Sequence, residues 1–164
     1  MIRRVNITGN AGAGKSSLAA ELGRRLNFPV YGLDSIVWRP GWKRPPGHEY
    51  EQQLKELASR ERWVIDGVSP LIREAADLVI FLDVPRRVCF FRCMKRNWRY
   101  LFSSRPGLPE RCPELLIMPT LVKIIWAFPS LVKPKVLAEA RHSDKYLHVT
   151  NRQQLDNIYA EITS

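Results

Sequence analysis

Apolar positions along this chain fall into two rhythms. Short runs of mostly apolar or β-branched residues alternate with longer stretches in which apolar residues recur every three or four positions. Arg4-Val5-Asn6-Ile7-Thr8 opens the series as a strand, and a helix is expected over about 15–26. A second strand spans 29–33. A turn-rich, aromatic stretch from 34 to 47 follows it. A helix over about 49–60 and strands over 62–66 and 78–83 come next. Pro85 then suits the first turn of a helix running to about 101. Residues 103–113 form a polar, proline-containing loop. Two helical segments, parted near Pro129, run through Trp126 and Ala140. A strand over 146–150 leads to Asn151, which caps a last helix with Gln154 as its capping-box partner.

Strands this continuously apolar, separated by helices, predict a parallel sheet covered on both faces. The length of 164 residues sets one domain, 1–164, as the expectation, and no internal repeat or low-complexity segment interrupts it. In such sheets ligands bind at the carboxyl ends of the strands. That rule gathers the first strand–helix loop, Asp34, Asp66 and the loop after Asp83 on one rim.

The first strand–helix loop reads Gly9, Asn10, Ala11, Gly12, Ala13, Gly14, Lys15 and Ser16, a complete G-x-x-x-x-G-K-[ST] pattern. Its backbone N–H groups can wrap a triphosphate, with Lys15 on the outer phosphates and the Ser16 hydroxyl on Mg²⁺. Ser17 extends the same helix N-terminus, where an anion is favoured. A second magnesium partner is expected at a strand end. Asp66 is preferred because Gly67 allows a close approach, whereas Asp83, before Val84-Pro85, reads as a helix cap.

Absences narrow the chemistry. Asp66 is followed by glycine rather than by a water-activating glutamate, and no N-K-x-D or strand-following D-x-x-G occurs. GTPases and motor-type ATPases are disfavoured, which leaves phosphoryl transfer to a small acceptor. Such transfer depends on positioning and on neutralising charge. Arg92 and Arg96, four apart, share a helix face, and Arg105 lies in the following loop, a lid region over about 99–113. The acceptor region is expected over about 34–60. Asp34, Trp38, Arg39 and Trp42 fall there, with Gly67 contributing from further along. The two tryptophans form either a small satellite core or a platform for a flat acceptor. Asp34 either deprotonates an acceptor hydroxyl or, if the acceptor is a phosphate, only orients it.

Charge adds a second option. Lys and Arg number 26 against 16 Asp and Glu, a net charge of +10. Such a balance serves nucleic acid or polyanionic small molecules. No helix-turn-helix, zinc or aromatic RNA-binding signature accompanies it. Cys89, Cys93 and Cys112 are an odd number without disulfide spacing, which suits buried thiols in a cytoplasmic protein. No signal peptide is visible. Pro119, Lys123 and Pro129 are expected to break the apolar stretch 115–132, so no membrane span is anticipated. That stretch either packs inside the domain or forms a dimer face, which leaves monomer and homodimer open.

The chain resembles the adenylate-kinase-like P-loop kinases and, more closely, a bacterial group labelled DNA-topology-modulation-related proteins. The resemblance covers most of the chain. It rests on G-N-A-G-A-G-K-S, on Leu33-Asp34-Ser35-Ile36-Val37-Trp38 with Pro40-Gly41-Trp42, and on Trp63-Val64-Ile65-Asp66-Gly67. It continues with Val79-Ile80-Phe81-Leu82-Asp83-Val84-Pro85-Arg86, the Arg92 and Arg96 pair, and Arg105 through Cys112-Pro113-Glu114. It implies a three-layer α/β/α P-loop NTPase fold with a five-stranded parallel sheet, nucleoside-monophosphate-kinase-like. It implies ATP and Mg²⁺ as cofactors, with phosphates on residues 12–17 and a water-mediated magnesium contact at Asp66. Arg92 would stack on the base, Arg96 and Arg105 would serve the lid, and Asn151 and Arg152 would lie beside adenine. One departure is that Val68-Ser69-Pro70 stands where many adenylate kinases have Phe-Pro-Arg, so the monophosphate-binding arginine is Arg73 or missing. The expected function is ATP-dependent transfer to a nucleotide or other small acceptor. The alternative is a nucleotide-regulated nucleic-acid-binding protein affecting DNA topology.

Overall fold

The computed structural model describes residues 2–98, 102, 114–151, 153–156 and 158. Five strands, β1 (Arg4–Gly9), β2 (Val30–Gly32), β3 (Trp63–Asp66), β4 (Leu78–Leu82) and β5 (Tyr146–Val149), make one sheet in the order β2-β3-β1-β4-β5. Every neighbouring pair is parallel. Ile7 of β1 lies opposite Asp66 of β3 and Ile80 of β4, so the carboxyl ends of the central strands share one rim.

The helices are α1 (Lys15–Leu26), α2 (Asp34–Val37), α3 (Gly47–Ser59), α4 (Pro70–Ala75), α5 (Arg86–Asn97), α6 (Glu114–Leu131) and α7 (Lys133–Arg141). The two-residue period of β4 assigns them to layers. Leu78, Ile80 and Leu82 pack with Leu18 and Leu22 of α1 and Cys89 and Cys93 of α5. Val79, one step out of phase, packs with Leu57 of α3 and Ile72 of α4 beside Trp63 and Ile65. Phe81 meets Phe128 of α6 and Val136 of α7. This is the three-layer α/β/α arrangement. Each fully buried residue of β4, such as Ile80, contributes about 1.5–3 kcal/mol.

The α1 bounds agree with the sequence pattern. Two short helices, α2 and α4, were not expected. Four and six residues are too few to show a helical period, although Ser69 caps α4 by accepting from the Ile72 N–H at 3.4 Å, with Pro70 in the first turn. Asn151 and Gln154 form the expected box: Asn151 Oδ1 accepts from the Gln154 N–H at 2.9 Å and Gln154 Oε1 accepts from the Asn151 N–H at 3.4 Å.

The expectation that prolines break the stretch 115–132 is corrected. Pro119 and Pro129 both sit inside α6. Pro129 has no N–H to give the Ile125 carbonyl, as an α-helix would require. That carbonyl instead accepts from Asn10 Nδ2 at 2.9 Å. By length and composition alone, the helical stretch Leu115–Arg141 could cross a membrane. In this fold Ile117, Ile125 and Phe128 are buried, while Leu116, Trp126 and Leu131 are exposed.

Candidate active site

The phosphate loop leaves β1 at Gly9 and enters α1 at Lys15. Its shape is fixed from within: the Ala13 N–H donates to the Asn10 carbonyl at 3.1 Å, and Lys15 Nζ donates to the same oxygen at 3.0 Å. Asn10, 2% exposed, also accepts from the Ala11 N–H at 2.8 Å through Oδ1. With its Nδ2 bond to Ile125, this side chain ties the loop to α6. Gly12 has φ +81, and a Cβ there would stand 2.4 Å from the Cys89 carbonyl oxygen and 2.9 Å from Cys93 Sγ. Neither cysteine is in a disulfide. Burial pushes the Cys89 thiol up to about 11, so it is neutral near pH 7 and acts as packing beneath the loop.

The N–H groups of the first α1 turn have no helical acceptor, and Gly14 caps the helix without a side-chain bond. A helix end left open in this way favours an anion. Ser16 Oγ donates to Asp66 Oδ2, so a hydroxyl and a carboxylate converge at the foot of the loop. Asn6 Nδ2 steadies the end of β3 by donating to the Ile65 carbonyl at 2.9 Å. Gly67, at φ +152, donates its N–H to the Ile7 carbonyl at 3.0 Å. A Cβ at Gly67 would collide with the Leu33 side chain at 2.6 Å, so its lack of a side chain serves the approach of Leu33. Ser16 and Asp66 together suit Mg²⁺, which binds through one or two protein oxygens plus phosphate and water. Among the described residues no cluster of three His, Cys, Asp or Glu forms a closed metal cage, as such a site would not need.

Two cavities flank the loop. The larger, about 630 Å³, is lined by Ala13, Gly14 and Ser17 on one side and by Val84, Pro85, Val88 and Arg92 on another, with Val149, Thr150 and Asn151 closing it. The smaller, about 240 Å³, is lined by Gly9, Ala11, Lys15 and Ser16, by Asp34, Trp38, Trp42 and Arg44, by Asp66 and Gly67, and by Arg96. Arg92 and Arg96, one turn apart on α5, therefore reach different cavities.

Residues expected on the acceptor side divide. Asp34, at the start of α2, lines the smaller cavity with Trp38 and Trp42. The tryptophans meet edge to face with centroids 5.2 Å apart. The Arg39 N–H closes the turn onto the Lys43 carbonyl at 2.8 Å, and Trp42 itself has φ +56. Arg39 is turned away into an ion pair with Glu49. Arg73 also lies apart: it is 3% exposed and grips Glu139 through Nε at 2.7 Å and Nη2 at 2.9 Å. Tyr146 donates to the same carboxylate at 2.7 Å. The bond from Arg73 comes first among the causes that hold the Glu139 carboxyl below its ordinary range, outweighing burial. Arg105 and Arg152 lie outside the described residues, as does nearly all of the region 99–113. Asp83 does not cap α5. It accepts from Lys133 Nζ at 2.8 Å and contacts His148 Nε2 at 2.9 Å.

Sequence reasoning missed one wall. Ile117, Leu121, Ile124 and Phe128 of α6 line the smaller cavity. Their spacing of four, three and four is a helical stripe, but nothing in the stripe says which partner it faces.

No family model matches the chain. The uncharacterized protein YqaC of Bacillus subtilis (strain 168) is 26% identical over 105 residues, 60% of this chain and 59% of that protein. The chain thus spans about three-fifths of the curated relative it matches. Among solved structures, shikimate kinase from Acinetobacter baumannii in complex with shikimate aligns over 99% of this chain and 92% of its own, at 15% identity and TM-score 0.52. Deoxyadenosine kinase from M. mycoides with bound dATP aligns over 98% and 100%, at 19% identity and TM-score 0.54. Shikimate kinase from Aquifex aeolicus aligns over 97% and 95%, at 18% identity and TM-score 0.54. At these identities the likeness is one of fold: the chain has the three-layer fold of P-loop kinases.

Proposed function

We propose that this chain is an ATP-dependent phosphotransferase, a single kinase domain that moves the γ-phosphoryl group of ATP to a nucleotide or other small acceptor. The observation that carries the reading is the shared wall. One phosphate loop borders both cavities, with Ala13, Gly14 and Ser17 on the larger and Lys15 and Ser16 on the smaller. A donor held in the larger cavity would extend its outer phosphate toward the smaller one. Val84, Val88 and Val149 offer apolar surface to a base, with Arg92 and Asn151 beside it. Lys15 and Arg96 would neutralise the charge spread over the transferring phosphoryl group. Arg105, by the family resemblance, would join them. Ser16 and Asp66 would hold Mg²⁺, which bridges phosphate oxygens and offsets their charge. Asp34 would orient the acceptor, and would take its proton if the acceptor is an alcohol.

The motifs around Asp34, Trp38 and Trp42 support a place near the DNA-topology-modulation-related group, and a cytoplasmic, monomeric or homodimeric enzyme suits the substrates. The test is calorimetric titration with ATP and Mg²⁺, followed by ATP turnover over a panel of nucleosides, nucleotides and small alcohols. The wild type is expected to bind ATP and to turn over with at least one acceptor. Lys15→Ala should slow transfer on the order of 10²–10³-fold, the range for losing one charge-stabilising donor. ATP binding that needs neither Lys15 nor Mg²⁺ would contradict the reading.

A second reading, nucleic-acid binding gated by nucleotide, draws on the other end of the sheet. There the Arg60 guanidinium lies 4.9 Å above the Tyr31 ring and that of Arg62 lies 5.9 Å above Phe28, with Arg3 and Arg4 adjacent. It predicts binding to single or double strands that weakens steeply with salt and changes with ATP. Absence of binding at physiological salt removes it.

A further inference from the structure

Helices α5 and α6 run side by side in opposite directions. At one end the Arg86 guanidinium lies 5.5 Å from the centroid of the Trp126 ring, and at the other Asn97 Nδ2 donates to Met118 Sδ at 4.0 Å. Their inner sides carry Cys89, Cys93 and Ile125 into the core. We propose that their outer sides form one surface that docks on a lipid bilayer carrying anionic phospholipid. The inference stands apart from the phosphotransferase reading. Three observations carry it.

The first is apolar exposure. Phe91 is 70% exposed, Trp98 75% and Leu116 68%. Phe91 meets Phe90 edge to face with centroids 5.8 Å apart, and Phe90 meets Trp126 in the same way at 5.5 Å, so the aromatic groups of the two helices join. A soluble surface rarely gathers large apolar groups on one side without a partner. Exposed Trp, Phe and Leu on one side of a helix suit the boundary between headgroups and acyl chains.

The second is charge. No Asp or Glu occurs from Arg86 to Trp98 or from Leu115 to Leu131. Arg87 and Lys95 stand one turn to either side of Phe91 on α5, and Lys123 stands two turns from Leu116 on α6. All three cations are exposed. An apolar patch framed by cations and free of carboxylates complements an anionic headgroup layer. The same charges disfavour other occupants. A second copy docked face to face would set Arg87 and Lys95 against their own counterparts. A nucleic-acid strand would match the cations and stack on the rings, but would leave the exposed Leu116 and Leu131 uncovered.

The third is orientation. Ile125 and Phe128 are buried in two of the core clusters. They hold α6 in the domain, so it lies along the bilayer and does not cross it.

The test is co-sedimentation of the full chain, at physiological salt, with vesicles of phosphatidylcholine alone and of phosphatidylcholine mixed with phosphatidylglycerol. Binding to the mixed vesicles is expected to be at least ~10-fold the tighter, and Arg87→Gln with Lys95→Gln should weaken it roughly 25-fold, about 5-fold for each cation near the surface. Phe91→Ser should weaken it on the order of 10-fold or more, the effect of withdrawing one large apolar side chain. These are exposed positions, and unchanged circular dichroism would show that the variants fold. Arg60→Gln with Arg62→Gln, at the other end of the sheet, lies beyond a Debye length and should change binding by less than about 2-fold. Brominated phospholipid should quench the tryptophan fluorescence of the wild type more than that of Trp98→Phe. No binding to the mixed vesicles, equal binding to both kinds, or equal losses in the two double variants would overturn the proposal. So would a sedimentation mass of two chains without vesicles that Phe91→Ser returns to one, which gives the face to a second copy. Single-stranded DNA held through Arg87 and Lys95 by a protein that ignores vesicles would overturn it in favour of nucleic acid.

Discussion

Replacing Gly12 with alanine probes how closely the phosphate loop leans on α5. A Cβ at Gly12 would meet the Cys89 carbonyl oxygen at 2.4 Å, the Cys89 carbonyl carbon at 3.1 Å and Cys93 Sγ at 2.9 Å. Two of these atoms are backbone and cannot rotate away, so the loop or the helix must shift. Gly14 supplies the control. Its φ is +99, beside +81 at Gly12, yet a Cβ there meets nothing within 4 Å. Each alanine suffers left-handed strain of about 1–2 kcal/mol. Gly12→Ala adds an overpacking cost of roughly 1–3 kcal/mol that Gly14→Ala escapes. For a chain of this size that difference corresponds to a further fall in Tm of about 2–12 °C. Urea denaturation followed by circular dichroism, with thermal melts on both variants without nucleotide, measures it. Equal midpoints for the two variants would refute the packing argument. If the loop moves to relieve the clash, Lys15 moves with it, so Gly12→Ala should also weaken ATP binding.

Three further outcomes follow from the same contacts. Asn10→Ala removes the amide that fills the Ile125 carbonyl left open by Pro129, which should cost on the order of 1–3 kcal/mol and weaken ATP binding; denaturation and calorimetry read the two effects. Glu139→Ala leaves the Arg73 guanidinium, 3% exposed, without its carboxylate. A loss of about 3 kcal/mol is expected with ATP affinity unchanged, since the pair lines neither cavity; a loss below about 1 kcal/mol would mean that water reaches Arg73. Finally, the Glu139 carboxyl is held low by Arg73 against burial, and Asp83, despite burial, is held low by Lys133 and His148. Folded values below unfolded ones mean that this stability is fully present above the ordinary carboxylate values of 4.5 and 3.8 and is lost as pH falls through the folded values. Denaturation midpoints measured from pH 6 down to about pH 3 should fall less steeply in Glu139→Gln than in the wild type; parallel curves would contradict the assignment.

The phosphate loop was legible in the sequence because its pattern is local. The eight residues from Gly9 to Ser16 specify the loop, a β-type run precedes it and an amphipathic helix follows, and each is recognisable within a few positions. The Asn151–Gln154 box was legible for the same reason. The smaller cavity was only partly so. Trp38 and Trp42 stood out, but their opposing wall, Leu121, Ile124 and Phe128, lies some eighty residues away on a helix whose stripe fits a core, a dimer face or a cavity equally well. Arg73 looked available because its partner Glu139 is 66 residues distant. Pro119 and Pro129 looked like breaks because the Asn10 amide that compensates for Pro129 lies on the phosphate loop. Gly67 was singled out for the approach of a ligand, and the neighbour that its missing side chain admits in this fold is Leu33.

The central claim is that a phosphoryl group passes from one cavity to the other across Lys15. Mass spectrometry of small molecules after incubation with ATP and Mg²⁺ tests it most directly. The account predicts one acceptor gaining a phosphoryl group in step with ADP formation in the wild type, with formation of both slowed on the order of 10²–10³-fold in Lys15→Ala. ADP formed with inorganic phosphate alone, at a rate no acceptor changes, would contradict it.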